Sequence, residues 1–324
     1  MEAHESEPAR IRKPISENIT HMKKVLILGA GLVSKPMVEY LLEEGFEVII
    51  ATRTVEKADK LLGGHKNGRA VAWVMEDMET LSGMVRDSDL TVSLLPYRFH
   101  VDVAKFCLKY RKPLVTTSYV SPAMQALHDD AVKAGVIFLN EAGLDPGIDH
   151  MSAMRIIDHV RQKGGKIEEF YSLCGALPAP EDANNPLGYK FSWSPKGVVL
   201  ASRNGATYLK HGKIVNIDPI NLFKARFTHP FPGVGDLEVY PNRDSVSYVD
   251  IYGLKGIQTM YRGTFRFKGW CETLDLMKAI GIIDDGDKDY TGVTFRQFVA
   301  EKAGIPGKDI KKELKEKPGL NPSD

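Results

Sequence analysis

The rhythm of apolar and polar positions changes about halfway along the chain. From Lys23 to about residue 145, short runs that are apolar at nearly every position alternate with segments of helical spacing. The runs cover 25–28, 47–51, 70–74, 90–94, 114–117 and 136–139. Runs without a polar face predict parallel strands covered on both sides. The segments between them predict helices over 34–44, 55–62, 78–85, 100–109 and 122–133. Repeated strand–helix units with short connections imply a Rossmann-type, doubly wound α/β domain over 23–145.

Beyond residue 145 the strand-like runs are more polar and alternate, at 166–175, 188–193, 206–215, 237–240 and 263–267. That pattern suits an antiparallel or mixed sheet with one open face. Helices are predicted over 148–162, 194–203, 270–280 and 294–303. Residues 146–307 thus read as an α+β domain. Residues 1–22 read as a flexible extension, and 308–324 as a charged, frayed tail without an apolar face.

Length and charge narrow the function. The 324 residues suffice for about two domains, and the formal net charge is +1. A neutral balance argues against nucleic-acid or anionic-membrane partners, which require a basic field. No apolar run reaches the ~18 residues that span a bilayer. Three scattered cysteines, Cys107, Cys174 and Cys271, make neither a disulfide framework nor a metal site, so a reducing, cytoplasmic setting is expected. The first residues lack the apolar core of a secretory signal, and Glu2, Glu5 and Glu7 disfavour a mitochondrial transit peptide.

The first chemical signal is Val25-Leu-Ile-Leu-Gly29-Ala-Gly31-Leu-Val-Ser34: strand, glycine turn, helix start. Gly29 permits the turn, Gly31 lets backbone approach a pyrophosphate, and Ser34 fills the third small position. Free N–H groups at the helix start attract phosphate. The end of the second strand reads Ile50-Ala51-Thr52-Arg53-Thr54, with no carboxylate before Glu56. An acid there would accept from a ribose 2′-hydroxyl. Arg53 instead suits a 2′-phosphate, so NADP is expected over NAD.

Three further loops, 93–100, 116–119 and 140–150, follow the fourth, fifth and sixth strands, at the carboxyl ends where open α/β sheets bind ligands. In the second domain Arg243, Arg262 and Arg266 suggest a substrate with several carboxylates, an internal ion pair being the rival reading for each. His100, His150 and His229 follow no metal pattern, and a structural role is the expectation for each. Asp145 and Asp149 suit either a paired acid function or helix capping.

Taken together, Gly29-Ala-Gly-Leu-Val, Leu94-Leu-Pro-Tyr, Thr117-Ser-Tyr-Val-Ser-Pro, Glu141-Ala-Gly-Leu-Asp-Pro-Gly-Ile-Asp-His, Cys174-Gly-Ala-Leu-Pro-Ala-Pro-Glu, Asn185-Pro-Leu-Gly-Tyr-Lys-Phe-Ser-Trp-Ser, Tyr240-Pro-Asn-Arg-Asp-Ser and Arg262-Gly-Thr-Phe-Arg resemble the saccharopine dehydrogenase family, glutamate-forming type. The resemblance spans about residues 23–283. It implies an NADP-binding domain, a substrate domain that also makes a homodimer, and interconversion of saccharopine with 2-aminoadipate 6-semialdehyde plus glutamate in lysine metabolism. By motif match it implies cofactor contacts at Gly29, Ala30, Gly31, Leu32, Val33, Thr52, Arg53, Val74, Met75, Leu95, Pro96, Thr117, Leu144, Asp145, Pro146 and Ser194. Substrate contacts carry over to Ser118, Tyr119, Asp145, Arg243, Thr264, Phe265 and Arg266, with Asp145 the candidate catalytic group. Bound water, Asp145 and His100 stay open as proton relays.

Two positions depart from the family pattern: Ala176 replaces a glycine, and Val74 stands where fungal members carry an acid. Family members also continue well past the length of this chain, so a fragment, a short form and one piece of a split gene are all readings of 324 residues. A carboxynorspermidine-type imine reductase and an inactive NADP-binding chain are the rival functions.

Overall fold

The computed structural model describes residues 22–185, 187–284, 286, 288–305 and 309–316. The expected extension lies outside the described residues except for Met22. Contacts divide the described chain into two units. One holds the residues up to Ala30, Ser34–Thr116 and Val120–Asn140; the other holds Gly31–Val33, Thr117–Tyr119 and the residues from Glu141 onward.

In the first unit the elements run β1 (Lys24–Leu28), α1 (Lys35–Glu43), β2 (Glu47–Thr52), α2 (Val55–Leu62), β3 (Gly68–Ala72), α3 (Met78–Arg86), β4 (Leu90–Ser93), α4 (His100–Tyr110), β5 (Leu114–Thr116), α5 (Pro122–Gln125), α6 (His128–Ala134) and β6 (Phe138–Leu139). The sheet order is β3-β2-β1-β4-β5-β6, every pair parallel. Alternation along β1 explains its all-apolar sequence. Leu26 and Leu28 pack with Leu81, Val85, Val103 and Ala104 on one face, while Val25 and Ile27 pack with Val38, Leu42, Ala58 and Leu62 on the other. Each such fully buried side chain contributes ~1.5–3 kcal/mol relative to exposure. The single helix expected over 122–133 is two, parted at Ala126–Leu127, where ψ of Leu127 opens to 0°.

The second unit contains α7 (Ile148–Gln162), β7 (Glu169–Cys174), α8 (Pro195–Ala201), β8 (Ala206–Lys210), β9 (Lys213–Ile217), β10 (Phe227–Phe231), β11 (Gly235–Pro241), α9 (Ser247–Ile251), β12 (Thr259–Arg266), α10 (Trp270–Ala279), α11 (Phe295–Ala303) and α12 (Ile310–Glu316). Its sheet runs β10-β11-β12-β8-β9, and β7 adds to β12 in parallel. It is therefore mixed, with β12 at its centre. Met260 on one face of β12 joins Ala153 and Ile157 of α7, while Tyr261 and Phe265 on the other join Leu237, Val239 and Leu173.

Several expectations are corrected here. The run 206–215 is a hairpin, because His211 (φ 50°) and Gly212 (φ 74°) turn the chain back. No strand forms at 188–193. There the Asn185 side chain takes the backbone groups a strand would use, donating to Tyr189 O at 2.9 Å and accepting from Leu187 N–H at 3.1 Å. Strand β10 was not expected. The tail is not wholly frayed: α12 is helical, and Ile310 is buried with Val299 and Ala300. Residues beyond 316 lie outside the described residues.

Candidate active site

In the first unit the expected cofactor residues Gly29, Ala30, Thr52, Arg53, Val74, Met75, Leu95 and Pro96 follow or end β1, β2, β3 and β4, all at carboxyl ends. Gly29 holds φ 113°, its N–H donates to Ala51 O at 2.9 Å, and a Cβ would lie 3.4 Å from Leu94 O. Only glycine takes that conformation without strain. A Cβ at Gly31 would meet nothing within 4 Å, and Leu32 and Val33 are exposed. The N-cap Ser34 makes no side-chain capping bond, and the first turn of α1 carries no acid. The positive-φ glycine turn and the acid-free first turn of α1 fit a dinucleotide phosphate. Arg53 is exposed just past β2, and Thr52 Oγ1 accepts from Thr54 N–H at 3.3 Å.

His100 is buried with Nδ1 2.9 Å from Ser93 Oγ, and burial pushes its pKa down to about 4, which keeps the imidazole neutral. His229 is on β10, its ring against Phe265.

In the second unit the loop before α7 folds on itself. A Cβ on Gly147 (φ 146°) would fall 2.0 Å from Gly143 O and 2.7 Å from Glu141 O. Gly143 N–H donates to Pro146 O, Ile148 N–H to Gly143 O and Asp149 N–H to Leu144 O, and the Asp145–Pro146 peptide is cis. Asp149 is not the helix cap, which is Gly147; its Oδ1 accepts from Gly147 N–H at 2.7 Å, and its Oδ2 faces an arginine.

That arginine is Arg262, 2% exposed on β12. Its Nη2 lies 2.7 Å from Asp145 Oδ1, 2.8 Å from Asp149 Oδ2 and 3.2 Å from the Tyr119 hydroxyl. The guanidinium stacks on the rings of Tyr248 (4.5 Å) and Tyr119 (5.3 Å). Its Nη1 is buried without a partner among the described residues. Tyr119 donates to Asp145 Oδ1 at 2.7 Å. Burial pushes the Tyr119 phenol well above its usual range, so Tyr119 keeps its proton. Burial opposes the charge on Arg262, but Tyr119, Asp145, Tyr248 and Asp149 outweigh it and raise its pKa.

The network continues through His150. Its Nε2 lies 2.8 Å from Glu141 Oε2, its Nδ1 2.6 Å from the Tyr252 hydroxyl and 3.7 Å from Asp149 Oδ2, and its ring stacks on Tyr248. Cys174 is half-buried near the same charges. Burial, then Asp145 and Asp149, push its thiol up to about 11.

The other expected substrate residues have distinct surroundings. Arg243 is exposed at φ 50°, over the Tyr119 ring at 5.2 Å. Arg266, on the same face of β12 as Arg262 and Thr264, is 6% exposed. It is enclosed by Tyr189 and Trp270 (5.0 Å each) and Tyr240 (5.9 Å). Its Nη1 donates to Phe265 O, and its Nε has no partner among the described residues. Ser194 caps α8 by accepting from Gly197 N–H. Ser118 O accepts from Glu141 N–H, which ties the 117–119 segment to the loop before α7. Sequence reasoning placed Arg262 among three arginines but did not single it out, and it read His150 as structural. For His150 the signal was its place next to Asp149; nothing in the sequence chose Arg262.

A family model described as the saccharopine dehydrogenase NADP binding domain matches residues 25–139, and one described as the saccharopine dehydrogenase C-terminal domain matches 143–323. Saccharopine dehydrogenase (NADP(+), L-glutamate-forming) of Schizosaccharomyces pombe is 44% identical over 89% of this chain and 63% of its own. The Saccharomyces cerevisiae protein of the same name is 39% identical over 90% and 65%. Mitochondrial alpha-aminoadipic semialdehyde synthase of Bos taurus is 39% identical over 91% and 32%. A solved structure of apo saccharopine dehydrogenase (L-Glu forming) from Saccharomyces cerevisiae superposes with TM-score 0.76 at 37% identity, covering 90% of this chain and 66% of that one. The chain thus spans less than two thirds of these relatives. Both halves match their family models, and the chain belongs to the saccharopine dehydrogenase family.

Proposed function

We propose that this chain is an NADP-dependent saccharopine dehydrogenase of the glutamate-forming type. It would interconvert saccharopine with 2-aminoadipate 6-semialdehyde plus glutamate. The observation that carries the reading is the buried Asp145–Arg262–Asp149 cluster under Tyr119, in a chain 39–44% identical to fungal enzymes of that name. Arg53, with no acid before Glu56, supports NADP over NAD. NADP, when bound, supplies or accepts the hydride. Gly29 to Val33 and the start of α1 would hold its phosphates, and Thr52 and Arg53 its 2′-phosphate.

The chain's own residues would bind and orient. Asp145, fixed by two donors on Oδ1, presents a carboxylate to the substrate's cationic amine. Arg243, exposed beside Tyr119, is placed to clamp a carboxylate, and Arg266 would use its unpartnered Nε. Positioning and fixed charge supply most of the acceleration in such a site. A homodimer is part of the reading. The β-sheet face of Tyr261 and Phe265 leaves Tyr171, Phe227 and Phe231 37–47% exposed, an aromatic surface suited to a second copy. A cytoplasmic setting is supported by three free cysteines, and no helix among the described residues is long and apolar enough to cross a membrane.

Mixing the chain with saccharopine and NADP tests the reading. Formation of reduced nicotinamide is expected, with glutamate and semialdehyde as products. Binding of NADP without turnover would overturn the assigned activity.

A further inference from the structure

His150 is the member of this cluster whose protonation the geometry leaves adjustable. A carboxylate can only accept, so Nε2 facing Glu141 Oε2 carries a proton in either charge state. Nδ1 faces a hydroxyl, which can donate to it or accept from it, so Nδ1 is the titrating atom. Four described residues from three elements face the ring. Glu141 comes from the loop before α7, Asp149 from α7 itself, and Tyr248 and Tyr252 from α9; Arg262 of β12 lies beyond Asp149. Burial keeps both phenols protonated. Glu141 reaches the ring from a left-handed backbone, φ 58°, a conformation unfavourable for a non-glycine residue.

The charge balance gives that proton its effect. The cluster holds three carboxylates, Glu141 on His150 and Asp145 and Asp149 on Arg262, against the guanidinium of Arg262 and that of Arg243 over the Tyr119 ring. With His150 neutral the cluster is an attractive neighbour for a cation. With His150 protonated much of that attraction is lost. We propose that His150 is a positioning residue whose Nδ1 proton sets the charge that the Asp145 cluster presents to the secondary amine of the substrate. The proposal rests on the saccharopine reading, and it makes His150 and a cationic substrate amine antagonists.

The test is the pH dependence of KM and kcat for saccharopine, from about pH 9 down to about pH 5.5, in the full chain and two variants. In the wild type KM is expected to rise up to roughly tenfold per pH unit below the imidazole titration, with kcat changing less. His150→Gln is expected to flatten that rise. Glu141→Gln removes the carboxylate that faces Nε2, so the rise is expected to move to lower pH. If both variants keep the wild-type KM profile, the proposal is wrong. Should His150→Gln fail to fold, Glu141→Gln carries the same test alone. NMR titration of the His150 ring provides a readout independent of turnover. The ring is expected to titrate, and to titrate at lower pH in Glu141→Gln and when saccharopine is added; a ring that does not titrate over this range overturns the proposal. If saccharopine is not turned over, the functional reading fails and the ring titration alone decides the charge role.

Discussion

Replacing Arg262 with methionine should be the most damaging single change in the second unit. The side chain is 2% exposed, and its two carboxylate partners, Asp149 and Asp145, are 6% and 17% exposed. Methionine keeps much of the volume but removes the charge, and leaves two acids facing each other in a water-poor site. Breaking a buried pair by removing one partner costs ~3–5 kcal/mol. The stacking on Tyr248 at 4.5 Å is lost as well. For a unit of this size each kcal/mol lowers Tm by ~2–4 °C, so the drop should be about 6–20 °C. Thermal unfolding followed by circular dichroism measures it. Adding Asp149→Asn should restore part of the loss. A Tm within about 2 °C of wild type at neutral pH would refute the reasoning, as would a double variant whose two effects simply add.

Other outcomes follow from single contacts. His100, held neutral with its pKa at about 4, contributes stability that is present above the unfolded-state value of ~6.5 and is lost as pH falls towards about 4. The span corresponds to at most about 3 kcal/mol, and His100→Gln should flatten stability over that window; an unchanged pH profile of unfolding would exclude it. Gly147→Ala places a Cβ 2.0 Å from Gly143 O and should cost more than ~2 kcal/mol in urea unfolding, so wild-type stability would contradict the closed loop. Arg53→Asp should move the ratio of NADPH to NADH affinity, read by separate fluorescence titrations of the two cofactors, roughly 10–100-fold towards NADH. An unmoved ratio would remove Arg53 from the phosphate site.

The first unit was legible because a parallel sheet buried on both faces writes itself as continuous apolar runs. Both faces of β1 pack, so Val25 to Leu28 carries no polar position. The second unit was harder. Strand β10 is exposed throughout and contains Pro230, which removes a ladder donor and hides the strand from apolar patterning. The hairpin turn at His211–Gly212 lacks the usual Asn-Gly or Asp-Gly signal. Tyr189 to Trp193 alternates as a strand would, but the Asn185 side chain claims its backbone.

The candidate site divides in the same way. Local features such as the Gly29 turn and the folded loop around Gly147 follow from short stretches of sequence. The partnership of Arg262 with Asp145 and Asp149 joins residues more than 110 positions apart. One-dimensional spacing cannot choose among Arg243, Arg262 and Arg266 for that place. The folded contacts choose: Arg262 has carboxylates at hydrogen-bonding distance, whereas Arg266, also buried, is enclosed by aromatic rings.

The most direct test of the proposed activity is oxidation of saccharopine by the purified chain with NADP and, separately, with NAD. Reduced nicotinamide should form with NADP in preference to NAD, in step with glutamate release, and Asp145→Ala should cut turnover severely. Absence of turnover by a folded chain that binds NADP, or full turnover in Asp145→Ala, would contradict it.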